Sequence, residues 1–318
     1  MTTNLTGQTE KEIRGLPGAP TFEYRDGVLC CEEVPIERIH RAVGPAYVYS
    51  TERLRENARR VLKAFSRANS LICFATIANT NPALFRLFHE FGLGLEVSSG
   101  AEFQLALAGG VDPSQLVISG NGRNESELRS FAASGAYLVS VDSDEEILRL
   151  EESAAGLRAQ GRLPGLVRAA IRINPDIDAH VHRQIAAGLA ESKFGLPPER
   201  ALEWFLHPER TPHLSWVGLH VHIGSQILDA EPLIDTLRQC ADFVDRARAG
   251  GSPVDVLNIG GGLGVDYIGK GGLALERYAD AACLVANNLG MRLVVEPGRY
   301  LVADACALVG EVLYVKRT

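Results

Sequence analysis

Residues 71–79, "LICFATIAN", form an apolar run of strand length that breaks into Asn79, Thr80 and Asn81. In an extended chain Phe74, Thr76 and Ala78 face one way, and Ala75, Ile77 and Asn79 the other. The run reads as a buried strand emerging into a loop, with Ile77 at the end where a strand presents working side chains. Seven more runs follow: "LGLEVSS", "QLVISG", "YLVSVDS", "VRAAIRINP", "WVGLHVHIGS", "VDVLNIGGG" and "RLVVEPGR". Most gaps between them hold amphipathic stretches such as "NPALFRLFHEFG" and "LIDTLRQCADFVDRARAGG". Apolar residues recur there at three- and four-residue spacing, which predicts helices covering a sheet. Near-continuous apolar strands alternating with helices indicate a parallel sheet. Eight such units predict an α/β protein built as a closed (β/α)8 TIM barrel, with an open doubly wound sheet as the alternative.

The two ends fall outside this rhythm. "FEYRDGVLCCEEV" reads as a hairpin turning at Asp26-Gly27. "PAYVYS" (45–50) reads as a strand, after which Ser50 or Thr51 caps the helix "ERLRENARRVLKAF". "ALVGEVLYV" (307–315) reads as a strand that pairs with the N-terminal hairpin or with another chain, or else has lost its partner, because an unpaired edge is a liability. The expected organisation is an N-terminal β segment over 1–45, a barrel over 46–300, and a further β strand over 301–318.

The chain has 318 residues and a net charge of −7, which disfavours nucleic acid and anionic membranes as partners. Its six cysteines show no metal-type spacing and read as reduced, mostly buried thiols. The first 20 residues lack the apolar core of a signal peptide, and no run approaches the roughly 20 apolar residues of a membrane span. A cytoplasmic protein is expected. Only Lys11, Lys63, Lys193, Lys270 and Lys316 are lysines.

In a barrel, working residues lie at the C-terminal ends of the strands. Those ends carry Asn79; Glu96, Ser98 and Ser99; Gly120; Asp142; Arg172 and Asn174; His222 and Ser225; Gly260, Gly261 and Gly262; and Glu296, Gly298 and Arg299. "IGGGLG" (259–264) offers backbone N–H groups that no side chain screens. With "EPGR" on the next strand it matches the phosphate position of barrels, the loops after strands seven and eight. His220 and His222, and His180 and His182, form two HxH pairs. No neighbouring Cys or Asp completes a metal set, so no metal site is expected. Glu296 can pair with Arg172 or Arg299, or with the protonated ring nitrogen of a cofactor. A phosphate turn, an imidazole able to stack on a ring and a carboxylate for a pyridinium together describe pyridoxal phosphate.

The motifs "EVSSGAEF", "INPDIDAHVH", "GLAESKFG", "GLHVHIGSQI", "LNIGGGLG" and "EPGR" extend this. Through them the chain resembles the fold-type III pyridoxal-phosphate decarboxylases, and within these the diaminopimelate decarboxylase branch, from "FEYRDGVL" to "EVLYVKR". The resemblance implies a TIM barrel of the alanine-racemase-like type, an amino-acid substrate and a homodimer. It implies that His222 stacks on pyridoxal 5′-phosphate and that Glu296 meets its ring nitrogen. Ser225, Gly261, Gly262, Gly298 and Arg299 would surround the phosphate, and Arg172 would lie near the ring oxygen. Glu102 matches a family glutamate.

Three departures accompany it. The family strand ends "YAxKAN", and its lysine forms the Schiff base with the cofactor; here Ile77 stands in that place, so no catalytic lysine is intact and any bound cofactor is held non-covalently. Neither Lys63 nor Lys193, which matches a different family lysine, is an obvious substitute. The family's C-terminal β domain, which completes the neighbouring subunit's site, would begin where the sequence ends. Glu96 replaces an aspartate. The resemblance implies decarboxylation of meso-diaminopimelate to lysine, and the departures imply impaired activity or, alternatively, a non-catalytic barrel that binds pyridoxal phosphate or a partner, as a pseudoenzyme or a truncated product.

Overall fold

At Asp26 and Gly27 the backbone enters the left-handed region, with φ of 50° and 79°, and joins two short strands as a tight hairpin requires. The computed structural model describes residues 21–317, apart from 183, 184, 190, 191, 268 and 270. Strands β1 (Phe22–Arg25), β2 (Val28–Cys31) and β3 (Val34–Pro35) make a small antiparallel sheet, followed by the helix Ile36–Val43 and by β4 (Ala46–Tyr49).

Eight strands then close into a parallel barrel: β5 (Ser70–Ala75), β6 (Gly94–Val97), β7 (Leu116–Ile118), β8 (Leu138–Val141), β9 (Val167–Ile173), β10 (Leu214–Val221), β11 (Val256–Asn258) and β12 (Arg292–Val295). Closure is completed by β12 beside β5, with Val294 opposite Leu71, and this removes the doubly wound alternative. All eight apolar runs of the sequence supply these strands, because each is buried on both faces.

Helices follow β5 to β11, the first being Pro82–Glu90 and the last Leu275–Leu289. Only a four-residue helix, Arg299–Val302, follows β12 directly. The helix Thr51–Ala64, which precedes the first barrel strand, fills that gap. Phe65, just past its end, packs edge-on against Tyr278, and its Arg55 and Arg59 lie over the Phe91 ring. Ser50 caps this helix, its side chain accepting from the Arg53 amide.

The end of the chain departs from expectation. The strand expected over 307–315 is only β13 (Cys306–Val309), and residues 310–317 carry no regular structure. Its partner within the chain is not the N-terminal hairpin but β4, antiparallel, with Cys306 opposite Tyr49 and Val309 opposite Ala46. Residues 1–20 of the expected N-terminal β segment lie outside the described residues.

"FATIAN" also departs from a strand. β5 stops at Ala75, and Thr76–Ala78 form a 3-10 turn. The turn breaks the two-residue alternation. Thr76 is buried and donates to Glu102 Oε2 at 2.9 Å, while Ile77 lies at the barrel mouth and is 72% exposed.

The barrel interior is apolar through its middle, with Leu71, Cys73, Val117, Leu138, Ala170, Val256 and Val294 in contact. Gly218 belongs to this layer because a Cβ there would come within 2.8 Å of the Ala170 Cβ.

Candidate active site

Two residues further along most of the strands the interior becomes polar. The two-residue period that sends Cys73, Val117, Ala170, Val256 and Val294 inward also sends Ala75, Ser119, Arg172, Asn258 and Glu296 inward, one pleat nearer the C-terminal mouth. Glu96, from β6, and His220, from β10, join them. Above this layer opens a cavity of about 700 Å³, within the range of small-molecule sites.

The cavity gathers every expected cofactor-contacting residue: Arg172, His222, Ser225, Gly261, Gly262, Glu296, Gly298 and Arg299 all line it, as does Ile77. Asn79, Ser99, Asp142 and Asn174 are not among its lining residues. Asn79 donates to the Tyr49 hydroxyl, Ser99 caps the helix Gly100–Ala108, and Asn174 donates to the Leu189 carbonyl. Asp142 is buried beside Glu146, and both burial and that neighbour push its carboxyl up to about 6.

Glu296 lies in the cavity floor, 6% exposed. Its Oε1 accepts from Asn258 Nδ2 at 2.6 Å, and its Oε2 is 3.6 Å from Nε2 of the buried His220. Neither Arg172 nor Arg299, the expected ion-pair partners, forms a salt bridge with it among the described residues. Burial, then the charge of Glu96, raise Glu296 to about 8. His220 is 1% exposed, and neither ring nitrogen has a hydrogen-bond partner among the described residues. Burial and the Arg172 charge hold it well below the usual histidine range, so it is neutral. It faces the carboxylate as a polar but uncharged wall.

His222 is also neutral at physiological pH, pushed down to about 3 by burial and by Arg172. Its Nδ1 accepts from the Gly261 amide at 3.1 Å, which fixes the ring and the tautomer. Arg172 donates to the His222 carbonyl at 3.2 Å and stacks over Phe194, with 4.6 Å to the ring centroid.

The glycines beside these groups are required sterically. A Cβ on Gly261 would stand 2.2 Å from the Glu296 carbonyl oxygen. Gly262 has φ of +86°, and a Cβ there would stand 2.6 Å from the Gly224 carbonyl. Their backbone therefore approaches the cavity with no side chain in between. Arg299 reaches the same corner, where its Nη1 donates to Gln226 Oε1 at 3.3 Å.

The β5–β6 side of the mouth has a different character. Glu96 is buried, and its Oε1 accepts from Ser98 Oγ at 2.9 Å and from Ser119 Oγ. Burial is the main cause of its raised carboxyl. Glu102 accepts from the Ser98 amide at 2.7 Å and so ties the β6 end to the Thr76 turn. Among the described residues no lysine lines the cavity. Lys63 is exposed on the helix Thr51–Ala64, and Lys193 places its Nζ over Phe194, 5.0 Å from the centroid. His180 is exposed, and no cluster of three or more His, Cys, Asp or Glu able to hold a metal occurs among the described residues.

The strand-end reading passed over Ser119, Asn258, Phe194 and Gln226. Ser119 and Asn258 were within reach of it, since each follows an inward apolar residue by two. Phe194 and Gln226 lie on loops, where no period applies.

Comparison with known proteins gives these features a context. Residues 51–303 match the family described as "Pyridoxal-dependent decarboxylase, pyridoxal binding domain". The diaminopimelate decarboxylase of Aquifex aeolicus is 36% identical over 299 residues, covering 93% of this chain and 69% of that protein. Among solved structures, the Helicobacter pylori diaminopimelate decarboxylase complexed with L-lysine aligns with a TM-score of 0.83 at 33% identity, over 88% of this chain and 70% of that one. The M. jannaschii diaminopimelate decarboxylase in complex with L-lysine aligns with a TM-score of 0.86 at 31% identity, over 95% and 71%.

Proposed function

Because this chain belongs to the pyridoxal-dependent decarboxylases and carries their pyridoxal binding domain, we propose that its cavity binds pyridoxal 5′-phosphate non-covalently with an amino acid, without decarboxylase turnover. The observation that carries this reading is Ile77. Its side chain is exposed at the cavity where the family resemblance calls for a lysine, and an alkyl group can neither form nor exchange a covalent bond with an aldehyde.

The residues present fit the cofactor. Gly261 and Gly262 bring unscreened backbone to the corner that Arg299, Ser225 and Gly298 share, an arrangement suited to a phosphate. Glu296 suits the ring nitrogen, since one oxygen is anchored by Asn258 and the other faces only the neutral His220. Without a cationic partner Glu296 holds a proton; beside a ring nitrogen it shares that proton across one hydrogen bond. The neutral, hydrogen-bonded His222 offers a flat face for the ring, and Arg172 offers donors to the ring oxygen. When bound, pyridoxal phosphate supplies the electron sink into which a departing carboxylate leaves its electron pair.

The names of the relatives point to diaminopimelate as the amino acid, and the lysine in two of the solved complexes points to the same class of diamino acid. Titration with pyridoxal phosphate, borohydride reduction and peptide mass spectrometry test the reading. Saturable binding, no reduced lysine adduct and no carbon dioxide from diaminopimelate are expected. A lysine-linked cofactor after reduction overturns it.

A further inference from the structure

Glu96 and Ile77 occupy adjoining strand ends. Ala75, the last residue of β5, is the Cα partner of Glu96, and Ile77 follows two residues later. Both Glu96 and Ile77 line the cavity. The hydrogen bonds to the Glu96 carboxylate both fall on Oε1, from Ser98 and Ser119, and Oε2 has no hydrogen bond or salt bridge among the described residues. The other groups on this wall are Ala75, Ala78, Ser98 and Ser119, none of which carries a positive charge. The two arginines of the cavity are held elsewhere, Arg172 against Phe194 and the His222 carbonyl, and Arg299 against Gln226. A buried carboxylate is stable when a cation meets it; the Arg172 charge reaches Glu96 through space, but among the described residues no cation forms a hydrogen bond or salt bridge with it.

We infer that the Glu96–Ile77 wall selects a ligand bearing its own ammonium group, so the cavity prefers the amine form of the phosphorylated pyridine, pyridoxamine 5′-phosphate, to its aldehyde or alcohol forms. This rests on the proposed binding of pyridoxal phosphate and names the form the site favours. The ligand's amine supplies the directly bonded cation that Glu96 lacks, and Ile77, an alkyl side chain, places no competing ammonium at that turn. No bond forms or breaks. The charged hydrogen bond gained is of the class that changes affinity by about tenfold or more.

The test compares pyridoxamine 5′-phosphate with pyridoxine 5′-phosphate, which share ring and phosphate and differ only in an amine or a hydroxyl. Calorimetric titration of the full chain is expected to give about tenfold tighter binding of the amine. Glu96→Gln, which keeps the Ser98 and Ser119 hydroxyls within reach of an oxygen, is expected to bring the ratio close to one. Ile77→Lys, at an exposed position that the fold tolerates, is expected to bring it to one or below by placing a competing ammonium beside Glu96. Equal affinities in the unmodified protein, or a preference that survives Glu96→Gln, overturn the inference. If neither compound nor pyridoxal phosphate binds, the cofactor reading itself fails; if pyridoxal phosphate binds while the amine shows no advantage, only this inference fails.

Discussion

Asn258 Nδ2 donates to Glu296 Oε1 at 2.6 Å, and Glu296 Oε2 lies 3.6 Å from His220 Nε2. One oxygen of this carboxylate is thus anchored by the neighbouring strand, while the other looks onto a buried imidazole that holds no charge. The pair of contacts fixes where the acid points and leaves its protonation open to whatever enters the cavity.

A pH dependence follows. Glu296 sits near 8 in the folded protein against its ordinary value of 4.5, so between these values the folded state binds the proton that the unfolded state has released. Its contribution to stability is complete below about 4.5 and is lost as pH rises through about 8. Glu296→Gln should flatten this part of the stability profile in urea denaturation. His222 acts on the acid side with the opposite sign. Its contribution is present above 6.5 and is lost as pH falls toward about 3.

Ile77→Lys should gain a covalently held cofactor, visible as a borohydride-reduced adduct on the peptide containing residue 77. Because position 77 is 72% exposed, its stability should stay within about 0.5 kcal/mol of the parent. An unmodified peptide after reduction would count against the assignment of position 77.

Gly261→Ala should impair both fold and cavity. The added methyl meets the Glu296 carbonyl oxygen, a backbone atom that cannot swing away. A loss of about 1–3 kcal/mol is expected, with a larger drop in phosphate-ligand affinity than Ile77→Val produces. Denaturation and titration of the two variants separate these effects.

The buried pair Arg123–Glu146 offers a test away from the cavity. Arg123 Nε donates to Glu146 Oε1 at 2.6 Å, and both side chains are buried. Glu146→Gln leaves a buried guanidinium without its countercharge and should destabilise by about 3–5 kcal/mol. Replacing both residues with apolar ones should cost much less, and thermal denaturation of the two variants gives the comparison.

Hydrophobic pattern was enough for the barrel. Runs such as "YLVSVDS" and "VRAAIRINP" are apolar on both faces, and only a covered parallel sheet buries both. Strand ends in turn located Arg172, His222 and Glu296, because in such a barrel chemistry collects at one mouth. The Thr76–Ala78 turn was not legible in this way. "FATIAN" continues the strand alternation, but Thr76 gains a buried hydrogen bond to Glu102, a residue of a different strand-to-helix turn. The pairing of β13 with β4 was equally hidden, since it joins residues more than 250 positions apart.

The sequence by itself determined the eight strands, their parallel order and the identity of the side chains at their ends, since periodicity is a local property of the chain. Tertiary structure decided which partner each buried polar group finds. Asn258 anchors Glu296, Ser119 joins Ser98 on Glu96, and Gly261 fixes His222, while among the described residues no cation hydrogen-bonds to Glu96. The reason is that charge and hydrogen-bond satisfaction depend on distances across the barrel, and those exist only once the sheet has closed.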